Sequence, residues 1–140
     1  MIAGVFDCGV LVSAIGWAGN SRQCLRLVAA RQARLFVTDE IWREYTERIP
    51  AILARARPGV DPQPTLAWLL LTANFVEPSP LGKRCSRDLK DDPYLACALA
   101  ADAECIVSND RDLLSLGKPF GVPILTPINF LKLVRTASGL

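Results

Sequence analysis

Histidine is missing from all 140 residues, and the five cysteines (Cys8, Cys24, Cys85, Cys97 and Cys105) include no C-x-x-C pair. The first absence removes Ser-His-Asp triads and imidazole general bases, and the two together remove zinc fingers. Chemistry on this chain has to run on carboxylates, backbone groups and bound ions. Long hydrophobic runs are also missing. The longest uncharged stretches, Cys8 to Ser21 and Pro62 to Val76, fall short of the roughly 18 residues that suggest a membrane span. Met1-Ile2-Ala3-Gly4 offers no basic start of a secretory leader. The expectation is a cytoplasmic protein that meets no membrane, with Cys97 and Cys105 as reduced core residues.

What is present is apolar: 51% of residues are hydrophobic and 21% charged, enough to build a core for a single domain over residues 1–140 and too little chain for two. Net charge is only +2, but it is unevenly spread. Between Arg22 and Arg57 eight arginines face four acids, a surplus of four, so the rest of the chain carries −2. Arginine-rich helices beside an acidic cleft suit a polyanion such as RNA. Solvated helix faces with ordinary ion pairs explain the same composition.

Strands and helices alternate along the chain. Ile2 to Phe6 reads as a short apolar strand that ends at Asp7, with a helix beginning near Val10. A second helix follows Asn20 or Ser21, with Cys24, Leu25, Leu27 and Val28 inward and Arg22, Arg26 and Arg31 outward. Leu35-Phe36-Val37 is the second strand. Thr38 or Asp39 caps a helix whose stripe of Ile41, Trp42, Tyr45 and Ile49 runs to Pro50, expected to break it, with Ala51 to Ala56 as a short continuation. After a loop at Pro58–Pro64 comes a helix from Leu66 to Asn74. Its Trp68-Leu69-Leu70-Leu71 belongs either in the interior or in a dimer seam. Phe75-Val76-Glu77 is the third strand and Pro78 to Lys90 a polar loop. Asp92-Pro93 opens a helix that is apolar nearly all round. Glu104 to Val107 and Val122 to Leu125 are strands four and five, and a last helix starts at Pro127. This alternation argues for an α/β fold with a parallel sheet covered on both faces.

Four acids stand out from this frame. Asp7 and Asp110 each follow a strand, and acids at strand ends meet in the crevice at the carboxyl edge of a parallel sheet. Asp92 starts the helix that leads into the strand before Asp110. Glu44 lies nearer the Ile41/Tyr45 stripe than Glu40 or Glu47 does, although an exposed ion pair with Arg48 also accounts for it. Asp7 taken alone is equally a helix cap. Together, such carboxylates repel one another by roughly several kcal/mol unless a cation sits among them. Oxygen ligands without histidine or thiolate select a hard ion, Mg2+ or Mn2+, and such an ion serves phosphodiester hydrolysis. Ser108, Asn109 and Arg111, in the turn around Asp110, are the candidate substrate-positioning residues.

Four segments in this order resemble the PIN-domain ribonucleases and, within them, the VapC-like toxin components of bacterial toxin-antitoxin pairs. They are Val5-Phe6-Asp7-Cys8-Gly9-Val10-Leu11-Val12-Ser13-Ala14, Ile41-Trp42-Arg43-Glu44-Tyr45, Arg87-Asp88-Leu89-Lys90-Asp91-Asp92-Pro93-Tyr94-Leu95-Ala96-Cys97-Ala98 and Ile106-Val107-Ser108-Asn109-Asp110-Arg111-Asp112-Leu113-Leu114. The resemblance implies a three-layer α/β/α fold with a parallel five-stranded sheet in the order 3-2-1-4-5. It also implies metal-dependent cleavage of single-stranded RNA, a homodimer and a cognate antitoxin. Its catalytic and metal residues carry over to Asp7, Glu44, Asp92 and Asp110, with Asp112 or Asp91 as supplementary ligands. One departure is visible: the family reads Asp-Thr-Asn where this chain has Asp7-Cys8-Gly9. The loss of that amide, with a glycine that loosens the turn, opens an alternative, a weakened or inactive PIN-fold module that binds RNA or protein.

Overall fold

The fold is given by a computed structural model, which describes residues 1–81 and 92–137. Asp91, Cys85 and most of the expected polar loop lie outside the described residues. Five strands, β1 (Ile2–Phe6), β2 (Ala33–Val37), β3 (Asn74–Phe75), β4 (Cys105–Val107) and β5 (Ile124–Leu125), form one all-parallel sheet in the order β3-β2-β1-β4-β5. That is the expected order. Ala3, Val5 and Phe6 are all buried, as a central strand of a parallel sheet requires, because helices close both faces. Phe6 meets Phe130 edge to face, with ring centroids 5.4 Å apart, an arrangement that the ring quadrupoles favour.

The helices are α1 (Cys8–Gly16), α2 (Asn20–Ala29), α3 (Asp39–Ala56), α4 (Gln63–Thr72), α5 (Asp92–Ala101), α6 (Arg111–Leu114) and α7 (Pro127–Ala137). They flank the sheet in α/β/α layers. Thr38 caps α3 as expected, its hydroxyl accepting from Ile41 N at 3.2 Å. Every residue from Tyr94 to Ala98 on α5 is buried, which fits a helix packed between other elements. At α1, Gly16 permits close contact with α3: a Cβ there would stand 2.9 Å from Cδ2 of the buried Leu53.

Several expectations need correction. Pro50 does not divide α3, which runs 18 residues through it. The proline removes one backbone donor, but Ile49 and Leu53 on either side are fully buried and hold both halves of the helix on the core. Arg22 is only partly turned to water. Its Nε and Nη2 donate to the carbonyls of Ala14 and Ile15 at 2.9 and 3.0 Å, satisfying acceptors that the end of α1 leaves open. Asn20 belongs to the first turn of α2, whose cap is Gly19. The α4 stretch divides by side: Leu66 and Leu69 are buried, whereas Leu70 is exposed and Leu71 is 88% exposed. Among the described residues no helix is long and apolar enough to cross a membrane.

Burial governs the cysteines. Desolvation pushes the thiols of Cys24, Cys97 and Cys105 from an ordinary value of 9.0 up to about 12. The folded chain therefore holds these protons more tightly than the unfolded chain does. The stabilisation is complete below pH 9 and is lost as the pH rises through about 12. Thermal melts should show a midpoint that falls steadily above pH 9. Replacing Cys97 by alanine should make that fall shallower, and an unchanged slope would contradict burial of the thiol.

Candidate active site

The carboxyl ends of β1 and β4 are held side by side by the register Gly4 to Cys105, Val5 to Ile106 and Phe6 to Val107. The pairing continues one residue further, where Asp7 N donates to Val107 O at 3.1 Å. Asp7 and the loop Ser108–Asp110 therefore leave the sheet together. Asp7 also caps α1: its Oδ1 accepts from Val10 N at 2.8 Å. Capping α1 does not take Asp7 out of reach, because the same carboxylate also lines the cavity described below. It is only 8% exposed.

Ser108 is fully buried, donates through Oγ to Asp7 Oδ2, and accepts from Asp110 N at 2.9 Å. It lies behind the carboxylates and orients them. Asp110 caps α6, accepting from Asp112 N at 2.8 Å.

Glu44 reaches the same place from α3. Its Oε1 accepts from the Tyr94 hydroxyl, and its Oε2 pairs with Arg48 Nη1 at 3.3 Å. The inward side chain and the Arg48 ion pair, again alternatives in the sequence, coexist. Tyr94 in turn accepts from Cys8 N at 3.1 Å. One phenol thus joins α5, α3 and the first turn of α1. Tyr45, fully buried, donates to the carbonyl of Phe6 and fixes α3 against the end of β1. Burial holds its phenol well above the ordinary value of 10.0. Burial, then the charge of Glu44, pushes the Cys8 thiol from 9.0 up to about 12. Cys8 is therefore no nucleophile at neutral pH.

Asp7, Glu44 and Asp110 line one open cavity of about 450 Å³, with Arg48 and Asn109 on its wall. Asp92 stands at the first turn of α5 and does not line that cavity. Asp112 and Arg111, on α6, are exposed and outside it as well. Asp91 lies outside the described residues. Three acids and no nitrogen or sulphur donor of useful pKa is a donor set that fits a hard divalent cation. As the side chains lie, no three ligating groups among the described residues stand close enough to share an ion. The set fits in chemistry, while its spacing is that of carboxylates held by Ser108, Tyr94 and Arg48.

Gly9 lies in the first turn of α1, where its φ is not positive. A Cβ at Gly9 would meet only Asp7 Oδ1, at an ordinary 3.6 Å.

Tyr94 is the functional residue that the sequence reading passed over, placed there among the apolar residues of its helix. Its position two residues after Asp92 in the quoted motif was the signal. Removing its hydroxyl strands Cys8 N–H and takes one hydrogen bond from Glu44, a loss of roughly 1–3 kcal/mol. Tyr94→Phe should lower the melting midpoint by several degrees while the far-ultraviolet circular dichroism stays native. An unchanged midpoint would show that the phenol bears no such load.

Comparison with known proteins agrees with this geometry. The chain is similar to a solved structure, PAE2754 from Pyrobaculum aerophilum, at 17% identity, with a TM-score of 0.62 over 96% of this chain and 90% of that one. At that identity the likeness shows the fold alone. No curated protein matches. The PIN domain family matches residues 4–112, a span that includes Asp7, Glu44, Asp92 and Asp110. The chain therefore belongs to the PIN domain family, whose members are usually nucleases that use divalent metals.

Proposed function

We propose that this protein is a metal-dependent endoribonuclease that hydrolyses phosphodiester bonds in single-stranded RNA, acting as the toxin of a VapC-like toxin-antitoxin pair. The observation that carries the reading is the gathering of Asp7, Glu44 and Asp110 around one cavity at the carboxyl edge of the sheet in a PIN domain chain. Mg2+ or Mn2+ would be held by Asp7, Glu44 and Asp110, with Asp92, which as the side chains lie stands outside the cavity, as the fourth acid that the family resemblance implies. When bound, such an ion activates water and offsets charge that develops on a phosphoryl group. The rest is the work of the chain. Ser108 fixes the Asp7 carboxylate, Tyr94 fixes Glu44, and Arg48 brings a guanidinium that suits a phosphate oxygen. Asn109, exposed on the wall, is available to the substrate. The exposed Leu70 and Leu71 of α4 support a contact with a second copy of the chain.

Purified wild type should cleave a mixed pool of single-stranded RNA with manganese and not with a chelator. Asp7→Asn should reduce the rate by roughly 100-fold or more, on the order of the loss of one charge-stabilising group, with the fold intact by circular dichroism. Equal rates for the two proteins would exclude the assignment of Asp7.

A second reading is favoured by one feature, the engagement of both Glu44 oxygens by Tyr94 and Arg48 beside the amide-free Cys8-Gly9. On that reading the protein binds RNA or a protein partner without cutting. Gly9→Asn separates the two, because the added Cβ has room. In an active but weakened nuclease this variant should bind manganese more tightly by calorimetry and cleave faster. A change in neither would favour the binding module.

A further inference from the structure

A second groove, of about 240 Å³, adjoins the carboxylate cavity and shares Ser13 and Asn109 with it. Its walls come from the end of α1 and from the first turns of α2 and α7. Trp17, the C-terminal cap of α1, contributes an indole that is 40% exposed, and Ile128 of α7 is 47% exposed. The Arg57 guanidinium stands 5.4 Å from the Trp17 ring centroid and limits the ring's freedom. The polar residues of the groove are Ser13, Asn20, Ser21, Asn109 and Thr126. Ser21 is the most enclosed of them, only 8% exposed.

An aromatic ring, an aliphatic wall and a short polar edge are what a base splayed out of a single strand requires. The size agrees too, since a closed cavity of about 150 Å³ already accepts benzene. We propose that this groove is a nucleoside subsite, in which a base of single-stranded RNA beside the scissile phosphate stacks on Trp17 against Ile128, with Asn20, Ser21 and Asn109 at its polar edge. The proposal rests on the ribonuclease reading and deepens it. The carboxylate cavity takes the phosphate, and the adjoining groove selects what stands next to it. The shared residues, Ser13 and Asn109, make the two sites one continuous path.

The test is fluorescence anisotropy in the presence of calcium, a hard ion that carboxylates bind. The probes are a labelled single-stranded RNA of mixed sequence and a ribose-phosphate strand of the same length without bases. Wild type should prefer the base-bearing strand by roughly 5- to 100-fold, the range for stacking of one base. Trp17→Ala should abolish most of that preference and Trp17→Phe should keep it. Ile128→Ser, on α7, should reduce it without depending on the fold around Trp17. Full preference in Trp17→Ala and Ile128→Ser, or equal binding of the two strands by wild type, overturns the subsite and leaves the nuclease reading standing. Wild type that binds neither strand overturns both.

Discussion

Parallel pairing of β1 with β4 is the constraint on which the site depends. A shift of one residue in that register would turn every side chain of β1 to the other face of the sheet, moving Val5 and Phe6 out of their packing and carrying Asp7 away from Ser108. The individual bonds are modest. Asp7 N to Val107 O is an ordinary backbone hydrogen bond, with a net contribution of roughly 0.5–1.5 kcal/mol. What sets the register is burial, because Val5, Phe6, Ile106 and Val107 are all fully inside. Each such side chain contributes on the order of 1.5–3 kcal/mol. The core thus fixes the strands, and the strands deliver the carboxylates.

Glu44 illustrates how magnitudes decide between two partners. Its pair with Arg48 joins neighbours on one helix and involves an exposed guanidinium; pairs of that kind contribute roughly 0.2–1 kcal/mol and weaken with salt. The Tyr94 hydroxyl is placed by a helix whose neighbouring residues are all buried, and a hydrogen bond to a charged group contributes roughly 1.5–3 kcal/mol. Of these two partners, Tyr94 holds Glu44 the more firmly and Arg48 the less. Because the same hydroxyl accepts from Cys8 N, movement of Glu44 is felt at the first turn of α1, one residue from Asp7. Asp7 and Glu44 are coupled through protein groups, whatever else occupies the cavity.

The parallel sheet and the edge at which the acids collect were legible in the alternation of elements and in acids placed just after apolar runs, whereas the strand order came only with the resemblance to the PIN-domain ribonucleases. The roles of single hydroxyls were not. Ser108 in a turn and Tyr94 in an apolar helix carry no periodic signal; what they bond is set by the neighbouring strand and helix, distant in the chain. Pro50 misled for a related reason. Its local cost is a property of the residue, but the anchorage by Ile49 and Leu53 that outweighs it is tertiary. Helix α6 went unread because four residues are too few for a pattern. Trp17 drew no notice, since one aromatic residue between two glycines defines neither strand nor helix. Its significance comes from α7, more than a hundred residues later.

Charge shows the same limit of composition. The surplus of positive charge between Arg22 and Arg57 suggests eight guanidinium groups facing a polyanion, yet the structure commits half of them to the protein. Arg22 binds carbonyls of α1, Arg48 pairs with Glu44, Arg57 lies over Trp17, and Arg34 lies over Phe36. A guanidinium bonded to carbonyls keeps its charge but has given up donors, while one paired with a carboxylate has its field largely cancelled. Long-range attraction of a nucleic acid depends on the net charge that remains, whereas contact with individual phosphates depends on open donors. The second quantity falls faster than the first. On the ribonuclease reading, the salt dependence of RNA binding should therefore report fewer phosphate contacts than the arginine count alone implies, and recognition of the strand would rest correspondingly more on the carboxylate cavity and the groove beside it.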